Sequence, residues 1–216
     1  MLSPEVKMSR IGEIIDASLK RDVRFFDFER IATLRWVSGP AHNMRKLFEF
    51  QAMKGNQYSA RWGWSVEFVP VLKGRKLAWK RTASKADFDL CIDPIDQLGS
   101  LPSRCSFTRS EEMIPRMSQI AQDSFKAAIA DFNDVVTLDD LASLFQRRSR
   151  MCFQRFSLEN YVQTDLARGL VLISIGQEQA GYELLDRFCN RFNLERHLAA
   201  IGKAEAEAKL TSSQKS

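Results

Sequence analysis

The stretch ARWGWSVEFV (Ala60–Val69) alternates between two kinds of side chain along its whole length. Its large apolar residues occupy every second position, at Trp62, Trp64, Val66 and Phe68. The positions between them hold polar residues and a glycine: Arg61, Gly63, Ser65 and Glu67. Because neighbouring side chains of a strand point to opposite faces, this period of two predicts a β-strand with one apolar and one polar face. A tryptophan pair at this spacing is typical of a core, and a ligand cleft is the alternative.

The same period of two continues on both sides of this stretch, from about residue 23 to residue 109. Five more segments show it: RIATLRWV (Arg30–Val37), KLFEFQAM (Lys46–Met53), KLAWKR (Lys76–Arg81), DFDLCI (Asp87–Ile92) and RCSFTR (Arg104–Arg109). The connections between them are short and contain turn-forming residues such as Gly55 and Asn56. Short connections join antiparallel neighbours, so the sequence predicts a β-meander of five to six strands with one face open to water.

Helical periodicity precedes and follows the strand region. An apolar stripe predicts the first helix: Met8, Ile11, Ile15 and Leu19. Ser3 suits its N-cap and Pro4 its first turn, so we place this helix within residues 1–21. After residue 110, the apolar spacing again becomes that of helices and continues to residue 208.

Local signals divide the C-terminal half into separate helices. Pro115 is expected at the beginning of the first one, because a proline further inside would break its hydrogen bonds. Thr137 and Asp140 resemble a capping box for the next helix. Two helices hinged at Gly176 and a final helix over Leu194–Leu210 follow. Residues 209–216 have little to bury, and we expect a disordered tail there.

These patterns predict a single α+β domain over residues 1–208. It consists of an N-terminal helix (1–21), an antiparallel sheet (22–109) and a helical C-terminal half (110–208) that packs on one face of the sheet. The chain has 216 residues, of which 44% are hydrophobic, and this is enough for one substantial core.

Composition narrows the classes of function. The four cysteines are widely spaced and form no C-x-x-C pair, which argues against a structural zinc site and a disulfide scaffold. The first residues lack the apolar segment of a secretory signal, and no apolar run of about eighteen residues occurs, so we expect a cytoplasmic protein without a membrane span. The net charge of +5 permits an anionic partner without requiring one. No phosphate-loop spacing is present, and we expect no cofactor.

Carboxylates cluster on the predicted strands. Asp87, Asp89 and Asp93 lie within one short stretch, and Glu49 and Glu67 have the same relation to their own strands. A metal-dependent phosphodiesterase or nuclease that uses Asp87, Asp89 and Glu67 is one interpretation, because Mg²⁺ and Mn²⁺ prefer oxygen ligands. The other is the solvated polar face of a sheet, where cations pair with these carboxylates: Arg35, Arg61 and Lys80. We favour the second interpretation.

A basic stretch, FQRRSRMCFQRF (Phe145–Phe156), interleaves arginine with phenylalanine. Its arginines form a candidate patch for nucleic acid or another acidic partner: Arg147, Arg148, Arg150 and Arg155. The alternative, which we favour, is a helix end whose arginines meet the negative end of the helix dipole while the phenylalanines enter the core. The two histidines, His42 and His197, show no relation to a nucleophile, and we expect both at the surface.

Two longer segments carry a resemblance to a known family. They are the strand region LFEFQAMKGNQYSARWGWSVEFVP, which contains an F-x-x-Q run at Phe48–Gln51, and the helical segment LARGLVLISIGQEQAGYELLDRF, which contains Gly176. With the leading helix, they resemble an uncharacterised bacterial family of α+β proteins. The resemblance implies an accessory or immunity-like protein that binds other proteins, and it implies no catalytic residues.

The sequence as a whole favours a non-enzymatic domain that binds another protein. The polar face of the sheet is the expected binding surface: Arg35, Glu49, Gln51, Arg61, Glu67 and Asp89. Immunity proteins against basic toxins tend to be acidic, because complementary charge speeds capture. The charge of +5 therefore suits an acidic partner.

Overall fold

The computed structural model describes residues 4–73, 76–80, 82–93, 105–150, 152–153, 156–157, 164–194 and 198–213. Six α-helices lie within these residues: α1 (Met8–Phe25), α2 (Ile114–Asp134), α3 (Leu138–Arg148), α4 (Thr164–Ser174), α5 (Glu178–Phe192) and α6 (Leu198–Ser213). The strands within them are β1 (Phe28–Ala32), β2 (Arg35–Ser38), β3 (Met44–Ala52), β4 (Gln57–Val66), β5 (Val71–Lys73), β6 (Lys76–Ala78), β7 (Leu90–Ile92), β8 (Ser106–Thr108), β9 (Cys152–Phe153) and β10 (Phe156–Ser157).

The main sheet has the order β1-β2-β3-β4-β7, and β8 also pairs with β4. The pairings β1–β2, β2–β3 and β4–β8 are antiparallel, so the predicted α+β class with an N-terminal helix and an antiparallel sheet is confirmed. β7 and β8 meet β4 at different points: the Asp89 amide donates to the Trp64 carbonyl (2.8 Å), and Ser106 pairs with Ser59. The strands do not form one meander, because β5 and β6 make a two-stranded sheet of their own.

The prediction of one strand over Arg30–Val37 is wrong. This segment is a hairpin, in which β1 and β2 pair on either side of a turn at residues 33 and 34. The Arg30 guanidinium donates to the carbonyls of Ala32 (3.2 Å) and Thr33 (3.0 Å), and the register shifts at the same place. These side-chain hydrogen bonds tie the Arg30 guanidinium to the exposed turn between the two strands.

The described residues belong to two compact units, each assembled from separate parts of the chain. The first unit comprises Met1–Gly39, Lys46–Gly63 and Cys91–Asn133, and the second comprises Pro40–Arg45, Trp64–Leu90 and Asp134–Ser216. The division passes through β3, β4 and β7. The number of domains in the chain stays a prediction from sequence.

The core of the first unit lies on one face of the sheet. Phe48 of β3 and Phe28 of β1 both contact Phe125 of α2, with ring centroids 5.1 and 5.4 Å apart. On the same side, the Trp36 indole donates to the Asp16 carboxylate of α1 (3.2 Å). Side chains at alternate positions of these strands therefore point to the other face of the sheet.

α1 begins later and ends later than its sequence pattern suggests. It begins at Met8 and ends at Phe25, and Lys7 caps it without a side-chain hydrogen bond. Ser3, the predicted N-cap, lies outside the described residues. Glu5 makes a β-bridge with Ser110, and its carboxylate pairs with Arg109, so this segment is extended instead of helical. The predicted apolar stripe is buried, from Ile11 to Leu19.

Three helices of the second unit, α3, α4 and α5, follow their sequence signals closely. Thr137 and Asp140 form the predicted capping box of α3. Gly176 has φ of 84° between α4 and α5, a conformation that glycine adopts without steric cost. These two helices approach closely, since a methyl group on Gly169 would lie 2.9 Å from the Gly181 carbonyl oxygen. Pro115, in the first unit, is the second residue of α2, as predicted.

α6 differs from the predicted final helix at both ends. It begins at Leu198 and continues to Ser213, and residues 214–216 of the predicted disordered tail lie outside the described residues. Ala204 and Ala208 are buried, and the Lys209 ammonium pairs with the Glu178 carboxylate of α5 (3.1 Å). None of the described helices combines the length and the apolar character needed to cross a lipid bilayer.

Candidate functional site

Two arginines and one glutamate meet on three adjacent strands of the first unit. Arg35 of β2 lies opposite Glu49 of β3, and Arg61 extends from β4. One oxygen of the Glu49 carboxylate accepts a hydrogen bond from Arg35, and the other accepts from Arg61. We call these residues the Arg35–Glu49–Arg61 cluster. The sequence predicts that Arg35 and Arg61 pair with carboxylates, and this is confirmed.

The alternation of the strands places the cluster on the face of the sheet opposite to α2. Contrary to the prediction, that face is not open to water throughout, because Val37 and Leu47 lie on it and are fully buried. Phe48 and Trp62, the neighbours of Glu49 and Arg61, belong to the other face. Phe48 contacts Phe125 of α2, and the Trp62 indole donates to the Asp131 carboxylate of the same helix (2.6 Å). The core therefore holds the neighbouring positions in place and directs the cluster away from α2.

The cluster is more accessible at its edges than at its centre. The Glu49 side chain is 10% exposed, whereas those of Arg35 and Arg61 are 23% and 30% exposed. Each guanidinium is thus held by a carboxylate that water hardly reaches, while part of its own surface remains accessible. Such an arrangement fixes the positions of two cations at the protein surface, because charge-assisted hydrogen bonds are strong and directional.

Gln51 adds a second polar group to the same face, two positions along β3 from Glu49. Its side-chain amide donates to the Asp93 carboxylate (2.6 Å), just after the end of β7. Both residues are partly buried. Asp93 belongs to the acidic stretch of the sequence, but its pairing with Gln51 joins residues far apart in the chain and had no local signal.

Asp89, in the second unit, does not lie on a solvated face. It is 6% exposed and forms an ion pair with Lys80, which is 1% exposed. Its other carboxylate oxygen accepts from the Val66 amide (2.6 Å), and the Lys80 ammonium also donates to the Asp87 carbonyl (3.1 Å). Burial raises the pKa of Asp89 to about 6, against the opposing effect of the Lys80 charge. The predicted pairing of Lys80 is confirmed, and the predicted exposure of Asp89 is wrong.

The other two carboxylates of the phosphodiesterase interpretation have separate local partners. β7 begins at Leu90, so the strand periodicity that would align Asp87 with Asp89 does not reach them. The Asp87 carboxylate accepts from the Phe88 amide (3.0 Å), and Glu67 pairs with Arg45 (3.0 Å). Within the described part of the chain, no group of three or more His, Cys, Asp or Glu side chains is arranged to hold a metal ion.

The basic stretch follows the helix-end interpretation as far as it is described. Arg147 and Arg148 lie in the last turn of α3, and Phe145 beside them is buried. Arg150 is exposed just after the helix, and Arg155 lies outside the described residues. Arginines in the last turn of a helix interact favourably with its dipole, so their position has a structural reason.

The remaining candidates do not converge on a site. Trp62 and Trp64 are both buried, as the core interpretation predicts. His42 is exposed in a turn with φ of 51°, and His197 lies outside the described residues. A comparison of the chain with protein-family models, curated proteins and solved structures gives no match in any of the three. The family resemblance of the sequence stays a prediction.

Proposed function

We propose that the chain is a non-enzymatic, protein-binding domain that contacts its partner through the Arg35–Glu49–Arg61 cluster. The observation that supports the proposal is the fixed position of two partly accessible guanidinium groups on one nearly buried carboxylate. Arginine is frequent at the energetic centres of interfaces, because its planar fork can hold a partner carboxylate through two hydrogen bonds.

Fixing the arginines in advance lowers the cost of binding. An arginine at an interface loses rotamer freedom when its partner binds, and this loss opposes association. In the cluster, Glu49 already restricts both side chains before any partner arrives. Gln51, on the same face of β3, adds an amide beside them. We therefore place the contact surface at Arg35, Glu49, Gln51 and Arg61.

The other two residues of the predicted surface are less suited to contact. Asp89 is buried with Lys80, and Glu67 is paired with Arg45. Catalysis by these carboxylates also has less support than binding, because each engages a cation or a backbone amide of its own chain. The net charge of +5 and the two cluster arginines fit an acidic partner. An accessory or immunity-like role in the cytoplasm is the form of this function that we propose.

The proposal is tested by affinity capture from a native lysate, followed by titration with the purified partner. The native chain is compared with Arg35→Ala/Arg61→Ala and with a control, Arg10→Ala/Arg116→Ala, which removes two exposed arginines from α1 and α2. All three chains are first checked for a cooperative thermal unfolding transition well above the temperature of the binding measurement. We expect the native chain and the control to retain the same stoichiometric protein.

The cluster variant should bind that protein at least about tenfold more weakly, since two central arginines are lost. Equal binding by the cluster variant would contradict the assignment of the surface. The absence of any stoichiometric partner under several lysate conditions would contradict the protein-binding function itself.

A further inference from the structure

A groove of about 560 Å³ lies between α4 and α5 in the second unit. Arg168 and Leu172 line it from α4, and Ala180, Glu183, Leu184 and Arg187 line it from α5. Its volume falls within the range of about 300–1,000 Å³ that is typical of sites for small molecules. None of the residues that line the groove belongs to the surface to which we assign protein binding.

Arg168 is the unusual residue of this groove. Its side chain is half-buried, and its Nε atom is buried without a hydrogen-bond partner among the described residues. An arginine cannot release its proton in a protein, so this charge remains whatever the surroundings. Most buried polar atoms in proteins have a partner, so a buried guanidinium nitrogen without one among the described residues is uncommon.

Arg187, the other arginine of the groove, differs from Arg168. Its guanidinium lies 3.5 Å from the Asp165 carboxylate, and its side chain is 65% exposed. Arg187 therefore already has an anionic partner and is exposed to water. The Arg168 Nε atom, by contrast, is buried and has no hydrogen-bond partner among the described residues. An anion that enters the groove gains most by pairing with Arg168, because electrostatic attraction is stronger where water is excluded.

The walls beside Arg168 are apolar. Leu172 is 8% exposed and Leu184 is 5% exposed, and both belong to the lining of the groove. Two acidic residues, Glu183 and Asp186, also line it, but both are exposed, and Glu183 accepts a hydrogen bond from Gln179 (3.2 Å). Water screens these exposed charges more than it screens the half-buried guanidinium.

We propose that this groove binds a small aliphatic carboxylate. The carboxylate group pairs with Arg168, and the aliphatic part lies against Leu172 and Leu184. The two features of the site act together, since the charge selects an anion and the leucines select one with an apolar chain. No bond of the ligand is made or broken in this site.

The experiment is an NMR titration of the full chain with sodium 4-methylpentanoate. Its neutral isostere, 4-methylpentanamide, and sodium chloride at equal ionic strength serve as reference ligands. For so small a ligand we expect a dissociation constant of about 1 mM, and saturable shifts of the methyl signals of Leu172 and Leu184. The amide should bind at least about tenfold more weakly, because it cannot form the charge-assisted pair.

Three variants complete the test. Arg168→Met keeps an unbranched side chain without the charge and should weaken binding of the carboxylate by about tenfold, whereas Arg191→Met, on the exposed end of α5, should not change it. Glu183→Gln should strengthen binding by about twofold to fivefold, because it removes a nearby negative charge.

Equal affinity for the carboxylate and the amide would overturn the proposal, as would unchanged binding by Arg168→Met. No saturable shift up to about 50 mM ligand would overturn it as well. The comparison of the two ligands uses the native chain alone, so it decides the matter even if a variant fails to fold.

Discussion

The second unit holds the buried Lys80–Asp89 pair, and the first unit holds the Arg35–Glu49–Arg61 cluster. In the pair, one cation meets one anion, and both side chains are almost fully removed from water. In the cluster, two cations share one anion, and the cations keep part of their surface accessible. In the sequence, the carboxylates of both groups show the same pattern, since each lies within a segment of alternating polar and apolar residues.

This contrast assigns different roles to two groups of similar residues. The Lys80–Asp89 pair has a structural role, and the cluster has the role in recognition that we propose. A buried pair has no surface to offer to another molecule, and its charges compensate each other inside the protein. A partly accessible cluster can exchange water for a partner without first breaking its own contacts. Changes to the pair should therefore affect stability most, and changes to the cluster should affect binding most.

The largest effect is expected from Lys80→Met, which leaves the buried Asp89 carboxylate without its cation. Removal of one partner from a buried ion pair typically costs about 3–5 kcal/mol of the free energy of unfolding, because an uncompensated charge remains. We expect a loss of about 3 kcal/mol, measured by urea denaturation at neutral pH.

Lys80→Met/Asp89→Leu should restore most of this loss, since it removes the stranded charge as well. Lys126→Met, at an exposed position of α2, serves as the control and should change stability by less than about 0.5 kcal/mol. A loss below about 1 kcal/mol for Lys80→Met would show that the pair is not sealed from water.

The second-largest effect is expected in the pH dependence of the free energy of unfolding. Burial raises the pKa of Asp89 to about 6, from an ordinary value of 3.8, so the folded chain binds more protons than the unfolded chain between these values. The contribution of Asp89 to the free energy of unfolding is therefore fully present below about pH 4 and is lost as the pH rises to about 6. We expect a decrease of about 2–3 kcal/mol across this window.

The measurement is the difference in free energy of unfolding between the native chain and Asp89→Asn at several pH values. Other groups titrate equally in both chains, so the difference isolates Asp89. The free energy of unfolding of the native chain minus that of Asp89→Asn should fall over this window; a value that stays constant from about pH 4 to pH 7, or that rises with pH, would contradict the buried environment of this carboxyl group.

Glu49→Gln should have a smaller effect than Lys80→Met. It removes the shared anion of the cluster, but Arg35 and Arg61 can turn further into water, whereas the Asp89 carboxylate that Lys80→Met leaves unpaired is buried. We expect a loss of about 1–2 kcal/mol by urea denaturation. Glu13→Gln breaks an exposed pair with Arg10 and should cost almost nothing. A loss for Glu49→Gln as large as that for Lys80→Met would remove the distinction between the two groups.

Arg61→Ala is expected to have the smallest effect on stability, because Glu49 retains Arg35. The loss should not exceed about 1 kcal/mol, as for other partly exposed ion pairs. Arg61→Ala should also weaken binding of the proposed partner. A small loss of stability together with a clear loss of affinity would distinguish a role in binding from a role in folding. A larger loss of stability would mean that the arginine is needed mainly for the fold.

Sequence periodicity predicted the cluster better than the pair, for a physical reason. Glu49 and Arg61 lie within long strands, where alternation alone determines which face a side chain occupies. Asp89 lies just before a three-residue strand, and its burial depends on Lys80, which follows the β5–β6 hairpin. A contact of this kind depends on how the irregular segment between Lys80 and Asp89 folds back on itself, and no strand or helix periodicity encodes it.

The helices show the same division between local and distant information. The capping box of Thr137 and Asp140 involves residues three apart, and the sequence predicted it correctly. The start of α1 was predicted incorrectly, because Glu5 forms a bridge with Ser110, more than a hundred residues away. Arg168 had no signal at all in the sequence, since its groove exists only when α4 and α5 lie side by side.

Gly169 and Gly181 bring the backbones of α4 and α5 together at a point where a methyl group on either residue would strike the other's carbonyl oxygen. The spacing of the two helices, and with it the width of the groove beside them, depends on two missing methyl groups. A single alanine at either glycine would push the helices apart and widen the groove while leaving every residue of its lining unchanged. Substitutions at Gly169 or Gly181 would therefore change the size of ligand that the groove accepts, although neither residue belongs to its lining.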